Sequence, residues 1–204
     1  MPEQIQVPRA QYHTSTSPRT IHELVSNLRK LHDDPYGCRA LFPWATRFAM
    51  GLPLAPWQRP LVWDESQMVS FIESVWYGVD LGSYLVNERE DGYFEDPAGV
   101  LRSREFTGCV LDGQQRLSAL EAYVTGEIAV RDATGVPRYY VDLPIAERRR
   151  FENTIFSRAT VSSSDERVLR HIYDLRAFGG VRHQESERAS DGQPVNFPVR
   201  VRPT

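Results

Sequence analysis

Apolar residues recur at helical spacing in four stretches of the chain. Ile21, Leu24, Val25, Leu28 and Leu31 lie on one face of a helix over residues 21–32. Thr20 and Glu23 supply a capping-box pattern at its start, and Pro35 and Gly37 read as its end. Asp64 and Gln67 repeat the cap signal ahead of Met68, Phe71, Ile72, Val75 and Trp76, a helix that ends near Gly78. Leu117, Leu120 and Val124 place a third helix over about 115–125, stopped by Gly126. Val168, Leu169, Ile172 and Leu175 face inward on a fourth over about 165–177. Two polar helices complete the set, one from Pro144 through Arg148, Arg149 and Arg150, the other over 183–190.

Short apolar runs bounded by turn residues give strands at 81–87 and at Cys109-Val110-Leu111, and shorter ones at 127–131, 138–142 and 155–161. Residues 88–107 are charged and turn-rich, which suits a loop or hairpin. Residues 41–63 are irregular, with Trp44, Trp57, Trp63 and four prolines. Such aromatics favour burial, so this stretch belongs to the folded body and not to a linker. Residues 1–18 read as an extended polar leader and 181–204 as a polar C-terminal appendage. The expected organisation is one folded domain of helices and short strands over 19–180.

Composition narrows the function classes. A net charge of −3 exerts no global pull toward nucleic acid or anionic membrane, so any such contact needs a local patch. No run approaches the roughly 20 apolar residues of a membrane span. The N-terminus lacks a basic region followed by an apolar run, the pattern of a signal peptide. Cys38 and Cys109 show no metal-ligand spacing and no disulfide framework. A reducing, cytoplasmic setting is expected.

The richest local chemistry lies in Cys109-Val110-Leu111-Asp112-Gly113-Gln114-Gln115-Arg116-Leu117. A strand leads into a tight turn, and a helix starts at once. Helix N-termini expose backbone N–H groups and partial positive charge, which suits phosphate. Gly113 allows unusual dihedrals and close approach of backbone to ligand. Arg116 adds a planar cationic fork, Asp112 a ligand for a divalent cation or a partner for water, and Gln114 and Gln115 amides that both donate and accept. A plainer reading fits the same residues: Asp112 caps the helix, Gly113 makes the turn, and Arg116 pairs with a surface acid. A second feature is Pro56-Trp57-Gln58-Arg59-Pro60-Leu61-Val62-Trp63, a stiff segment able to hold Arg59 toward a ligand. Its tryptophans suit either stacking on a base or core packing, and packing is the commoner use.

Taken together, Gln-Arg-Pro-x-Val-Trp, an amphipathic helix, a Leu-Gly strand and Asp-Gly-Gln-Gln-Arg before a helix resemble the N-terminal domain of GmrSD-type restriction proteins, a branch of the ParB/sulfiredoxin superfamily. The match runs from about Pro56 to Val124 and continues more weakly to Ile172-Tyr173 and Phe178-Gly179-Gly180. The resemblance implies an α+β fold, a ParB/sulfiredoxin-like small twisted mixed sheet with flanking helices. It also implies nucleotide binding, with NTP hydrolysis coupled to sensing or cutting of modified DNA in several relatives. By position, Asp112, Gln115 and Arg116 would be catalytic, with Asp112 also the metal ligand. Gln58, Arg59, Gly113 and Gln114 would bind the nucleotide. The implied cofactors are Mg²⁺ and an NTP. The implied partners are duplex or modified DNA and a separate nuclease or effector subunit.

The chain departs from the family pattern in two respects. Ala177 stands where relatives often carry Asn before an aromatic-Gly-Gly stretch. The chain is also too short for the nuclease domain of full-length restriction proteins, and its histidines lack metal-nuclease spacing. Sulfiredoxin carries a cysteine in its phosphate turn, whereas Gln114 and Gln115 stand here and Cys109 lies upstream on a buried strand, so redox repair is not expected.

Other candidates have plainer readings. His171 and His183 suit helix-end positions more than general-base roles. Arg148, Arg149 and Arg150, with Arg138 and Arg158, suit either a phosphate-backbone patch or a solvated helix face flanked by Glu147 and Glu152. Glu88, Glu90, Asp91, Glu95 and Asp96 read as a solvated acidic loop. No Walker-type Gly-x-x-x-x-Gly-Lys is present. The first expectation is a Mg²⁺-assisted NTP hydrolase linked to restriction or phage defence. The alternative is a non-catalytic DNA- or partner-binding module of the same fold.

Overall fold

A computed structural model of the chain describes Ala10 and residues 12–178. In chain order it opens with β1 (Ser15–Ser17), α1 (Ile21–Asp33) and α2 (Pro35–Leu41). A hairpin of β2 (Phe48–Ala49) and β3 (Leu52–Pro53) leads to α3 (Glu65–Tyr77) and β4 (Ser83–Asn87). A second hairpin, β5 (Tyr93–Glu95) and β6 (Leu101–Ser103), precedes β7 (Val110–Asp112) and α4 (Gln114–Thr125). A third, β8 (Val130–Arg131) and β9 (Pro137–Arg138), is followed by a 3-10 turn (Tyr140–Asp142), α5 (Ile145–Glu152), β10 (Ser157–Val161) and α6 (Glu166–Phe178).

The central sheet is small, open and mixed, in the order β1-β10-β4-β7. β4 runs parallel to β10 and antiparallel to β7, and β1 pairs antiparallel with β10. The expected α+β class therefore holds. Successive strand residues face opposite sides of a sheet, so β4 feeds two cores. Tyr84 and Val86 join Ile21, Leu24, Ile72, Leu117, Leu120, Phe151 and Phe156 beneath α1, α3, α4 and α5. Leu85 points the other way and joins Leu111, Ala159 and Val161 against Leu169 and Ile172 of α6. Burial on both faces explains why 84–86 reads as a continuous apolar run with no alternation.

Several expectations change in detail. Thr20 precedes α1 as expected, but its side chain makes no cap. Its backbone bridges to Ile155, and Glu23 accepts from Arg19 at 3.2 Å instead of closing a capping box. Pro35 and Gly37 do not simply end the first helix. Asp34 caps a new one through Gly37 N–H, with Pro35 in its first turn, a position where the missing proline N–H costs nothing. Residues 140–142 form a 3-10 turn and not a strand. Leu175 is exposed on α6, although Leu169 and Ile172 face inward. Ser15–Ser17, within the stretch read as a leader, forms the edge strand β1. The helix expected at 183–190 lies outside the described residues. The capping box of Asp64 and Gln67 is fully formed, and Gly78 closes α3 in the left-handed conformation. Among the described residues no helix is long and apolar enough to cross a membrane.

Candidate functional site

The end of β7, the start of α4, the 58–63 segment and the last turns of α6 enclose an open cleft of about 240 Å³. Gln58, Arg59, Asp112, Gly113, Gln114, Gln115 and Arg116 all line it. The two sequence features, far apart along the chain, are thus walls of one site.

The turn at Gly113 is fixed by sterics. Its φ is +104°, and a Cβ there would lie 2.7 Å from Tyr84 Cβ and 3.1 Å from Tyr84 Cα on the neighbouring strand. Any side chain would force β4 and β7 apart or tilt α4. Gly113 is also the N-cap of α4 and brings no capping side chain, so no side chain satisfies the helix's first N–H groups.

The side chains that follow divide into tethers and free groups. Arg116 donates to Leu81 O at 2.8 Å and to Ser83 O at 3.0 Å, and its guanidinium lies 5.4 Å from the Phe156 ring centroid. It therefore ties the start of α4 to the entry of β4. Burial pushes its pKa down, and the Asp112 charge opposes that shift. Gln115 Oε1 accepts from Val62 and Trp63 N–H, both at 3.1 Å, and Nε2 donates to Pro60 O at 3.3 Å, which clamps the opposite wall in place. Gln58 is buried and donates through Nε2 to Val110 O, holding its own segment along the outer edge of β7, where Leu54 also bridges to Val110.

Two groups remain uncommitted. Gln114 is 5% exposed, yet its side chain makes no hydrogen bond among the described residues, and Oε1 is buried without a partner. An orphaned buried acceptor costs about 1–3 kcal/mol, so a ligand or water that fills it would recover that energy. Arg59 is exposed and makes no ion pair or hydrogen bond among the described residues.

Sequence reasoning missed Arg176. Its Nε donates to Asp112 Oδ2 at 2.9 Å and its Nη2 to Ser83 O at 3.3 Å. Arg116 Nη2 lies 3.5 Å from the same Asp112 oxygen. The available signal was helical spacing: Arg176 lies one turn beyond Ile172, which is buried on α6. Tyr173, Trp63 and Ala177 also line the cleft. Trp63 packs at 5.8 Å on Phe71 while facing the site. Trp57 is held in packing, between Phe106 at 5.1 Å and the Arg170 guanidinium at 4.6 Å.

The donor set does not suit a resident metal. Among the described residues Asp112 is the cleft's one carboxylate, and two guanidinium groups meet its Oδ2. Among the described residues no group of three His, Cys, Asp or Glu is placed to hold a metal ion. In the acidic 88–96 stretch Glu88 pairs with Arg158, Asp91 with Arg89 and Asp96 with Arg102. His171 does not line the cleft and packs edge-on to Tyr12. Cys109 is fully buried, and burial pushes its thiol up to about 12, an inert state.

No curated protein and no solved structure matches the chain. The family model described as GmrSD restriction endonuclease, N-terminal domain, matches residues 50–190, more than half of the chain, and this span includes every cleft-lining residue. The chain therefore belongs to the family of GmrSD restriction endonuclease N-terminal domains.

Proposed function

We propose that the cleft binds the phosphates of a nucleotide and that the domain is the nucleotide-responsive part of a restriction or phage-defence system. The observation that carries this reading is the pairing of the buried, unpartnered Gln114 amide with the uncapped start of α4. Charge supports it as well. Arg59, Arg116 and Arg176 face one carboxylate, Asp112, and this excess of positive charge suits a polyphosphate.

In this reading Arg59 and the α4 N-terminus meet the phosphates, and Gln114 takes a hydrogen bond from the ligand or from a water it orders. Arg116 and Gln115 are positioning residues: one fixes the turn against β4, the other holds the Arg59 segment across the cleft. Mg²⁺ belongs with the phosphates of the incoming nucleotide. Where hydrolysis follows, Arg59 and Arg176 offset the charge that develops on the transferred phosphoryl group, and Asp112 aligns water.

A second reading is a binding module without hydrolysis, with DNA or a partner subunit as its target. It draws on the same contacts: Asp112, Gln115 and Arg116 each already hold protein groups. Steady-state phosphate release from each NTP, with Mg²⁺ and with or without duplex DNA, separates the two. Release that Arg59→Ala abolishes supports hydrolysis. No release from any NTP, with duplex DNA binding that weakens steeply with salt, supports the module.

A further inference from the structure

A second cleft, of about 490 Å³, lies between α1 and α5, and the nucleotide reading leaves it unused. Its floor is Glu152, a carboxylate with only 10% of its side chain exposed. Oε2 accepts from His22 Nδ1 at 2.6 Å, and Oε1 accepts from Arg29 Nη2 at 3.2 Å and from the Tyr140 hydroxyl. Burial pushes Glu152 up, but these donors outweigh it and hold the carboxyl below its usual range. Both oxygens are thus occupied within the hub, and the hub orients His22 and Arg29 on α1.

Arg148 and Arg149 line the same cleft from α5. Their neighbour Arg150 pairs with Glu147 at 3.6 Å, but neither the Arg148 nor the Arg149 side chain has an ion pair or hydrogen bond among the described residues. Arg148 is only partly exposed, so its charge is partly desolvated without a counter-ion. Three guanidinium groups therefore face a single carboxylate whose oxygens are already engaged. In a chain of net charge −3, this is a local positive concentration in a concave site.

We propose that the α1/α5 cleft is a second anion site that takes a phosphate group on Arg29, Arg148 and Arg149. The phosphate comes either from a free phosphate ester or from a nucleic-acid backbone. Guanidinium forks match phosphate oxygens in pairs, and the Glu152 hub holds Arg29 in place before the anion arrives. The proposal does not depend on the nucleotide cleft.

The test is an amide chemical-shift titration of the full ¹⁵N-labelled chain at low salt with sodium pyrophosphate, inorganic phosphate and a short DNA duplex. The expected result is saturable shifts at His22 and at residues 148–153. These weaken at least tenfold in Arg148→Gln/Arg149→Gln and persist in Arg59→Ala. Both arginines lie at the surface, and the same spectra report whether the double variant is folded. Tighter, salt-dependent shifts with the duplex identify a nucleic-acid backbone as the source, whereas a response to the small anions alone identifies a free phosphate ester. No saturable shift at these residues with any of the three, or shifts that survive in the double variant, would overturn the proposal.

Discussion

Replacing Gly113 with alanine should destabilise the fold at the candidate site itself. Two terms add. The φ of +104° places an L-residue in a disfavoured region, at about 1–2 kcal/mol. The new Cβ also lies 2.7 Å from Tyr84 Cβ, and Tyr84 is itself packed at 3% exposure. Forcing a methyl into such a contact costs roughly 1–3 kcal/mol. The total is about 2–5 kcal/mol, a fall in urea midpoint of about 1–2.5 M for an m-value of about 2 kcal/mol/M. Gly78 supplies the control. It is also left-handed, with φ +71°, but a Cβ there meets nothing within 4 Å. Gly78→Ala should therefore show only the backbone term. Urea unfolding of both variants, followed by far-ultraviolet circular dichroism, isolates the contact with Tyr84. Equal midpoints for the two variants would refute the steric account of the turn.

Other outcomes follow from the same geometry. Arg116→Ala should lose about 2–4 kcal/mol of stability, because two charge-assisted bonds to Leu81 O and Ser83 O disappear. Arg59→Ala should stay within about 0.5 kcal/mol of wild type, and thermal melts compare them. Arg116→Lys should rescue Arg116→Ala poorly, since an ammonium cannot fork to both carbonyls. A thiol-reagent titration of native protein at pH 8 should label Cys38, which is partly exposed, and spare Cys109 until unfolding. Ala177→Asn adds an amide at the cleft rim and should tighten nucleotide binding up to about tenfold, the worth of one added hydrogen bond, read by calorimetry.

Much of this molecule was legible in its sequence, but unevenly. Asp64 with Gln67 and Thr20 with Glu23 present the same pattern, yet only the first forms a capping box. The difference lies outside the local sequence: Thr20 backbone is drawn into pairing with Ile155, and Arg19 takes the Glu23 carboxylate. Asp34 before Pro35 was a readable helix start, and treating the proline only as a stop concealed α2. The strand-turn-helix around Gly113 could be read because its chemistry is contiguous. What Arg116 binds could not be, since its acceptors lie 33 and 35 residues away and are delivered by the placement of β4. Arg176 was hidden for the same reason: only the docking of α6 against β7 brings it to Asp112. Gln115 was expected among the catalytic residues; in the structure its amide holds the backbone of 60–63, a partnership that no local pattern encodes.

The most direct test of the central claim is a calorimetric titration of the full chain with ATP, GTP, CTP and UTP in the presence of Mg²⁺, for wild type and Arg59→Ala. The account predicts saturable one-to-one binding of at least one nucleotide, lost or weakened more than tenfold in a variant that melts like wild type. No binding of any nucleotide by folded wild-type protein, or equal binding by Arg59→Ala, would contradict it.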